Sequence, residues 1–169
     1  MQFISSDSNI WLDFNAIRRL EAPFLLKEIY SFLITRDTLE EELIYPTDLG
    51  EKLTGLGLQP VELSKEEFLQ AEEYQKNYKA LSSYDTYALA IAKSRRMILL
   101  SGDGALRKAA GKEGVEVRGT IWIVDRLKEE GCISIPDYRS ILQDLLSHFG
   151  KDCYLPLSEI IDRLKRLNY

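Results

Sequence analysis

Four acidic residues stand where this chain should enter or leave an ordered element, and that placement suggests chemistry on phosphate. Asp7 follows the apolar pair Phe3-Ile4 and two serines, and Glu42 lies past the hydrophobic Phe32-Leu33-Ile34 in Leu39-Glu40-Glu41-Glu42-Leu43. Asp85 opens Tyr84-Asp85-Thr86-Tyr87-Ala88-Leu89-Ala90, and Asp103 ends Ile98-Leu99-Leu100-Ser101-Gly102-Asp103. In an α/β sheet, ligands bind beyond the carboxyl ends of the parallel strands. Acids drawn from several strand ends would meet in one crevice, and crowded like charges call for a cation. Oxygen ligands suit a hard divalent ion, and such an ion suits phosphodiester cleavage.

Each acid also has a purely structural alternative. On a helix, Asp85 shares a stripe with Ala88, Leu89 and Ala92, which turns it inward. Alternatively Ser83 caps that helix and Asp85 only favours its dipole. Asp103 is flanked by Gly102 and Gly104, which let the chain turn sharply and a substrate come close. It is also placed to cap a helix over residues 104–112. Asp7, followed by Ser8 and Asn9, is strand end and helix cap at once. Thr38 and Glu41 have capping-box spacing, which occupies Glu41 and leaves Glu42 as the site candidate, Glu41 standing second. Taken together, the four placements favour a shared site.

The elements that must hold these residues alternate. Strands are expected at Phe3–Ser6, Leu33–Thr35, Pro60–Leu63, 97–101 and 115–117. Helices are expected at Asn9–Ile17, Pro23–Phe32, a segment capped by Thr38, Lys65–Tyr78 behind Ser64 and Glu67, 84–94, 104–112 and 120–130. Turn formers crowd 46–64. Short apolar runs alternating with helices indicate a parallel sheet covered by helices. After Gly131 the pattern changes to two amphipathic helices, Ile135–Phe149 and Leu157–Leu167, joined by 150–156. A main domain over 1–133 and a helical extension over 134–169, packed on the domain or on a partner, is the expected organisation.

With 169 residues and 45% hydrophobic content the chain can build one good core. The net charge of −5 and pI near 5.1 sit awkwardly with a nucleic-acid enzyme. The distribution softens this, because Lys93, Arg95, Arg96, Arg107, Lys108, Lys112 and Arg118 make residues 93–118 locally basic. Cys132 and Cys153 are too few for a disulfide scaffold and lack ligand spacing. His148 has no companion motif for catalysis. No apolar stretch of ~18 residues and no leader pattern is visible, so a cytoplasmic protein without a membrane span is expected.

Rival α/β chemistries fail on inspection. Gly102-Asp103-Gly104 lacks the third glycine of a dinucleotide fingerprint, and no phosphate loop with Gly-Lys-Ser/Thr exists. A phosphatase nucleophile at Asp7 would want a second acid two residues on, where Asn9 stands. With these excluded, the chain resembles a PIN-domain nuclease of the VapC-like branch. The resemblance rests on Asp7-Ser8-Asn9, Glu42-Leu43, Asp85-Thr86-Tyr87-Ala88, Ser101-Gly102-Asp103 with Leu106-Arg107, and Val117-Arg118-Gly119-Thr120. It implies a three-layer α/β/α sandwich with a central parallel sheet of four or five strands and carboxyl-terminal helices. It also implies a Mg2+- or Mn2+-dependent ribonuclease, often a toxin held in check by an antitoxin protein. Asp7, Glu42, Asp85 and Asp103 carry over as the acidic quartet, with Asn9 and Ser101 as supporting polar groups. Arg107 and Lys108, one turn beyond Asp103, are placed to hold a phosphate of the substrate. A homodimer through the carboxyl-terminal apolar surface is a further expectation. The competing class is a PIN-like protein that no longer cuts and works as a binding module.

Overall fold

The structure, a computed structural model, describes residues 1–148 and 155–168. In chain order it runs β1 (Gln2–Ser6), α1 (Ser8–Ala16), β2 (Tyr30–Thr35), α2 (Arg36–Glu41), α3 (Leu49–Leu56), β3 (Gln59–Val61) and α4 (Lys65–Asn77). It continues with α5 (Ser83–Ser94), β4 (Ile98–Leu100), α6 (Gly104–Lys112), β5 (Val117–Arg118), α7 (Thr120–Glu129), α8 (Ile135–Ser147) and α9 (Leu157–Arg166). Phe149, the joining segment over 150–154 and Cys153 lie outside the described residues.

The five strands form one parallel sheet in the order β3-β2-β1-β4-β5. Strand side chains alternate, so each face feeds its own core. Ile4, Phe32, Ile34, Ile98 and Leu100 pack with Trp11 and Phe14 of α1 and with α3, α7, α8 and α9. Leu99 faces the other way, into a smaller core with α4, α5 and α6. The result is the expected α/β/α sandwich. Two adjacent serines bolt the layers to β1. Ser5 Oγ donates to Ala88 O of α5 at 2.9 Å, and Ser6 Oγ donates to Leu33 O of β2 at 2.8 Å.

Three local expectations are corrected. Residues 23–32 are not one helix: a 3-10 turn over Ala22–Leu26 precedes β2, which begins at Tyr30. The helix after β2 is capped by Thr35, whose side chain accepts from Thr38 N; Thr38 itself lies inside the helix. The turn-rich stretch contains α3, whose Leu49 and Leu53 are buried despite Gly50 and Gly55. At α4 the reading of Ser64 and Glu67 as a reciprocal cap agrees with the structure.

The carboxyl-terminal helices belong to the larger core. Tyr138, Ile141, Leu142 and Leu145 of α8 and Ile160 of α9 are buried in it. Arg163 forks onto Asp125 of α7, with Nη2–Oδ2 at 2.8 Å and Nε–Oδ1 at 3.0 Å, and Tyr138 OH donates to the same carboxylate at 2.6 Å. Leu142→Ala should therefore cost about 2–5 kcal/mol, the usual range for a buried leucine. Denaturant unfolding should show it as a lower midpoint of a single transition. An unchanged midpoint would mean that α8 contributes nothing to the stability of the core.

Candidate active site

The strand order reverses between β1 and β4, so the connections diverge there and leave a crevice at the carboxyl edge of the sheet. Asp7 and Asp103 leave β1 and β4 beside this gap. The Asp7 N–H donates to Leu100 O at 2.9 Å, which sews the start of the first loop to the end of β4. The Asp7 side chain is 3% exposed. Its Oδ1 accepts from Ser8 N at 2.8 Å, and its Oδ2 accepts from Ser101 Oγ at 3.0 Å. Ser101 Oγ also accepts from Asp103 N at 3.0 Å, so one buried hydroxyl couples the two acids.

Asp103 caps α6 by accepting from Leu106 N at 2.8 Å. Asp85 lies in the first turn of α5, capped by Ser82 and not by Ser83. Its Oδ2 accepts from Ser82 N at 2.9 Å while its own N–H donates to Ser82 Oγ at 3.1 Å. The capping role is thus present, and the partly exposed Asp85 lies near enough for its charge to act on Asp7.

Glu41 and Glu42 separate clearly. Glu41 is exposed and accepts from Tyr84 OH at 2.6 Å; it makes no capping box. Glu42, half-buried at the end of α2, accepts from Ser8 Oγ at 3.1 Å through Oε2, and its buried Oε1 has no partner. Ser8 is the polar residue that the sequence reading passed over in favour of Asn9, which is exposed. Its signal was its place between a strand-end acid and an apolar helix, where a buried hydroxyl must find an acceptor.

Three of the carboxylates are shifted by burial and by acidic neighbours. Burial, then the charges of Asp85 and Glu42, push the Asp7 carboxyl from its ordinary 3.8 up to about 7, against the hydrogen bonds from Ser101 and Ser8. Burial, then Asp85, raises Glu42. Burial, then Asp103, raises Asp85. Among the described residues no three of these acids stand at ligating distance around a common point. Three of them, Asp7, Asp85 and Asp103, accept instead from backbone N–H groups. The donor set still fits a hard cation: all donors are oxygen, Glu42 offers an orphaned atom, and each capping carboxylate retains its second oxygen.

Arg107 Nη1 donates to Ser101 O at 2.8 Å, placing a guanidinium on the outer side of the same loop. Lys108 is exposed. Thr120 Oγ1 donates to Asp13 Oδ2 at 2.8 Å, which ties the Gly119-Thr120 turn to α1.

A family model, DUF3368, described as a PIN domain, matches residues 3–168. The chain belongs to this PIN-domain family, whose members are generally nucleases that use divalent metals. No curated protein and no solved structure matches the chain with significance. Among the described residues, no helix is long and apolar enough to cross a membrane.

Proposed function

We propose that the protein is a Mg2+- or Mn2+-dependent endoribonuclease, and that it acts in the cytoplasm as the toxin of a toxin–antitoxin pair. The observation that carries the nuclease reading is Asp7. A carboxyl so buried, with Asp85 and Glu42 pressing on it, is a group that a bound cation would stabilise in its ionised form.

Asp7, Asp85 and Asp103 would hold the ion. When bound, it supplies Lewis acidity and neutralises charge at the scissile phosphate. Ser101 keeps Asp7 oriented, and Ser8 keeps Glu42 turned toward the crevice. The unpartnered Glu42 Oε1 orients a water for in-line attack and receives its proton. The water oxygen bonds to phosphorus as the bond to the 3′ oxygen breaks. Arg107 and Lys108 steady a neighbouring phosphate with charge-assisted hydrogen bonds. The toxin role rests on the resemblance to the VapC-like branch and adds an antitoxin protein as natural inhibitor; a homodimer is the lesser partner.

A second reading is a PIN fold that binds RNA or protein without cutting. The net charge of −5 and the capping bonds of Asp85 and Asp103 favour it. Incubation with a generic single-stranded RNA separates the two. Cleavage should need Mg2+ or Mn2+, stop with chelator, and weaken as salt rises and screens phosphate contacts. Cutting that survives stringent chelation would overturn the metal mechanism. No cutting with either ion would leave the binding module.

A further inference from the structure

We infer that the cleft between the Ser101–Asp103 loop, β5, α7 and α9 is a pocket for one nucleotide of the RNA strand beside the scissile phosphate. This rests on the nuclease reading and extends it from the cutting centre to how the strand is held.

The cleft has a volume of about 390 Å³ and adjoins the loop that carries Asp103. Gly102, between Ser101 and Asp103, lines it, and so does Arg107, whose Nη1 grips Ser101 O. The opposite wall approaches closely at Gly119. A Cβ there would meet Arg107 Nη1 at 3.3 Å and Ser101 O at 3.8 Å, so the β5–α7 turn lies close against that loop. At Gly102 a Cβ would meet nothing within 4 Å, so the backbone between Ser101 and Asp103 is bare on that side. A strand can pass from the acids into the cleft over this bare stretch of backbone.

The lining suits a nucleotide. Arg107 and Arg118 present planar guanidinium donors for phosphate oxygens, Arg118 Nη2 also donating to the exposed Glu116 Oε1 at 2.7 Å. The partly exposed indole of Trp122 offers a ring face for a base, with the Arg118 guanidinium 6.0 Å from its centroid. Asp125 also lines the cleft, but its charge is matched by Arg163; Glu159 of α9 is the other lining acid. The other flank of the site is hostile to a polyanion. Asp37, Glu41 and Glu72 surround Tyr87 there, so the phosphate backbone is directed toward α6 and β5. The volume lies at the small end of ligand pockets, enough for one nucleotide and not a helix of RNA.

The test uses the full chain, a short single-stranded oligoribonucleotide, and the mononucleotides UMP and AMP. Tryptophan emission reports binding, because Trp122 lies in the cleft while Trp11 is fully buried. The oligonucleotide should quench emission in the wild type and much less in Trp122→Leu. Arg118 is exposed, so Arg118→Ala should fold normally. It should raise KM by about tenfold, more than it lowers kcat, and flatten the logarithmic salt dependence of binding by about one. A wild type that cuts RNA while Arg118→Ala and Trp122→Leu keep its KM and salt slope would overturn the pocket and leave the nuclease standing. A wild type that never cuts, yet shows Trp122-dependent quenching by the oligonucleotide, would overturn the nuclease and leave the pocket. Mononucleotides binding as tightly as the oligonucleotide would make this a site for free nucleotides, and the inference would fall.

Discussion

Replacing Asp7 with asparagine should stabilise the metal-free protein at pH 8 while abolishing cleavage. In the folded state Asp7 holds its proton up to about pH 7, against an ordinary 3.8. At about 1.36 kcal/mol per tenfold change in the proton equilibrium, ionised Asp7 costs up to ~4 kcal/mol of stability. The sign follows from proton binding. The cost is fully present above about pH 7, shrinks as pH falls, and vanishes below the unfolded value. The substituted asparagine carries no charge and can still accept from Ser8 N, so the gain should be about 2–4 kcal/mol at pH 8. It should shrink to under ~1 kcal/mol near pH 4. In a chain of this size that corresponds to a melting temperature raised by on the order of 10 °C at pH 8. Cleavage should fall by more than about 100-fold, beyond what losing a mere supporting contact to a metal ligand costs. Added Mn2+ should raise the melting temperature of the wild type and do little for the variant. Full activity with an unchanged metal response would remove Asp7 from the site.

The opposite behaviour is expected at Glu67. This carboxylate is buried on α4 and paired with Arg95, which follows α5; Arg95 Nε lies 2.9 Å from Glu67 Oε2. The Arg95 hydrogen bonds, against the cost of burial, hold its pKa down to about 2 from an ordinary 4.5. Its stabilisation is therefore complete above the unfolded value and lost as pH falls toward 2. Glu67→Gln should cost about 2–3 kcal/mol at pH 7, less than a fully buried pair because Arg95 is about one-third exposed. Near pH 2 it should cost almost nothing. Together the two acids predict that the metal-free wild type is most stable near pH 4–5, below the usual range, and that metal moves the optimum upward. Unfolding midpoints across pH, with and without Mn2+, check this. A stability maximum at pH 7–8 in chelator would contradict it.

Much of this architecture was legible because strand ends, caps and acids coincide in the chain. Ser101-Gly102-Asp103 after three buried apolar residues marked β4 and its exit loop, and Ser64 with Glu67 marked α4. Where the reading failed, the local signal was ambiguous in a physical sense. Tyr30–Thr35 is apolar on both faces because it is an interior strand, and a short apolar run of that kind reads equally as buried helix. Its first three residues, Tyr30–Phe32, merged with Pro23–Leu26 into one expected helix, and only Leu33–Thr35 was read as strand. α3 was hidden by Gly50 and Gly55, which disfavour helix but do not forbid it where Leu49 and Leu53 can be buried. At the site, the acids were visible as acids. Ser101 was expected beside them, but Ser8 and Ser82 were not, because they take their roles from the fold around them. Only three-dimensional placement separates Glu42, beside Ser8, from Glu41, turned outward to Tyr84.

The contact between Asp7 and Ser101 bears on the protein's birth as well as its work. Their hydrogen bond spans 94 residues, and β4, which brings Ser101 into place, pairs directly with β1 at the start of the chain. During synthesis the amino-terminal strand emerges first and must wait for more than half of the chain before its acid meets its partners. A nascent chain therefore cannot bring the four acids together until Asp103, well past the middle of the chain, has been made. On the proposed ribonuclease reading, this order keeps the cutting centre apart through the first half of synthesis.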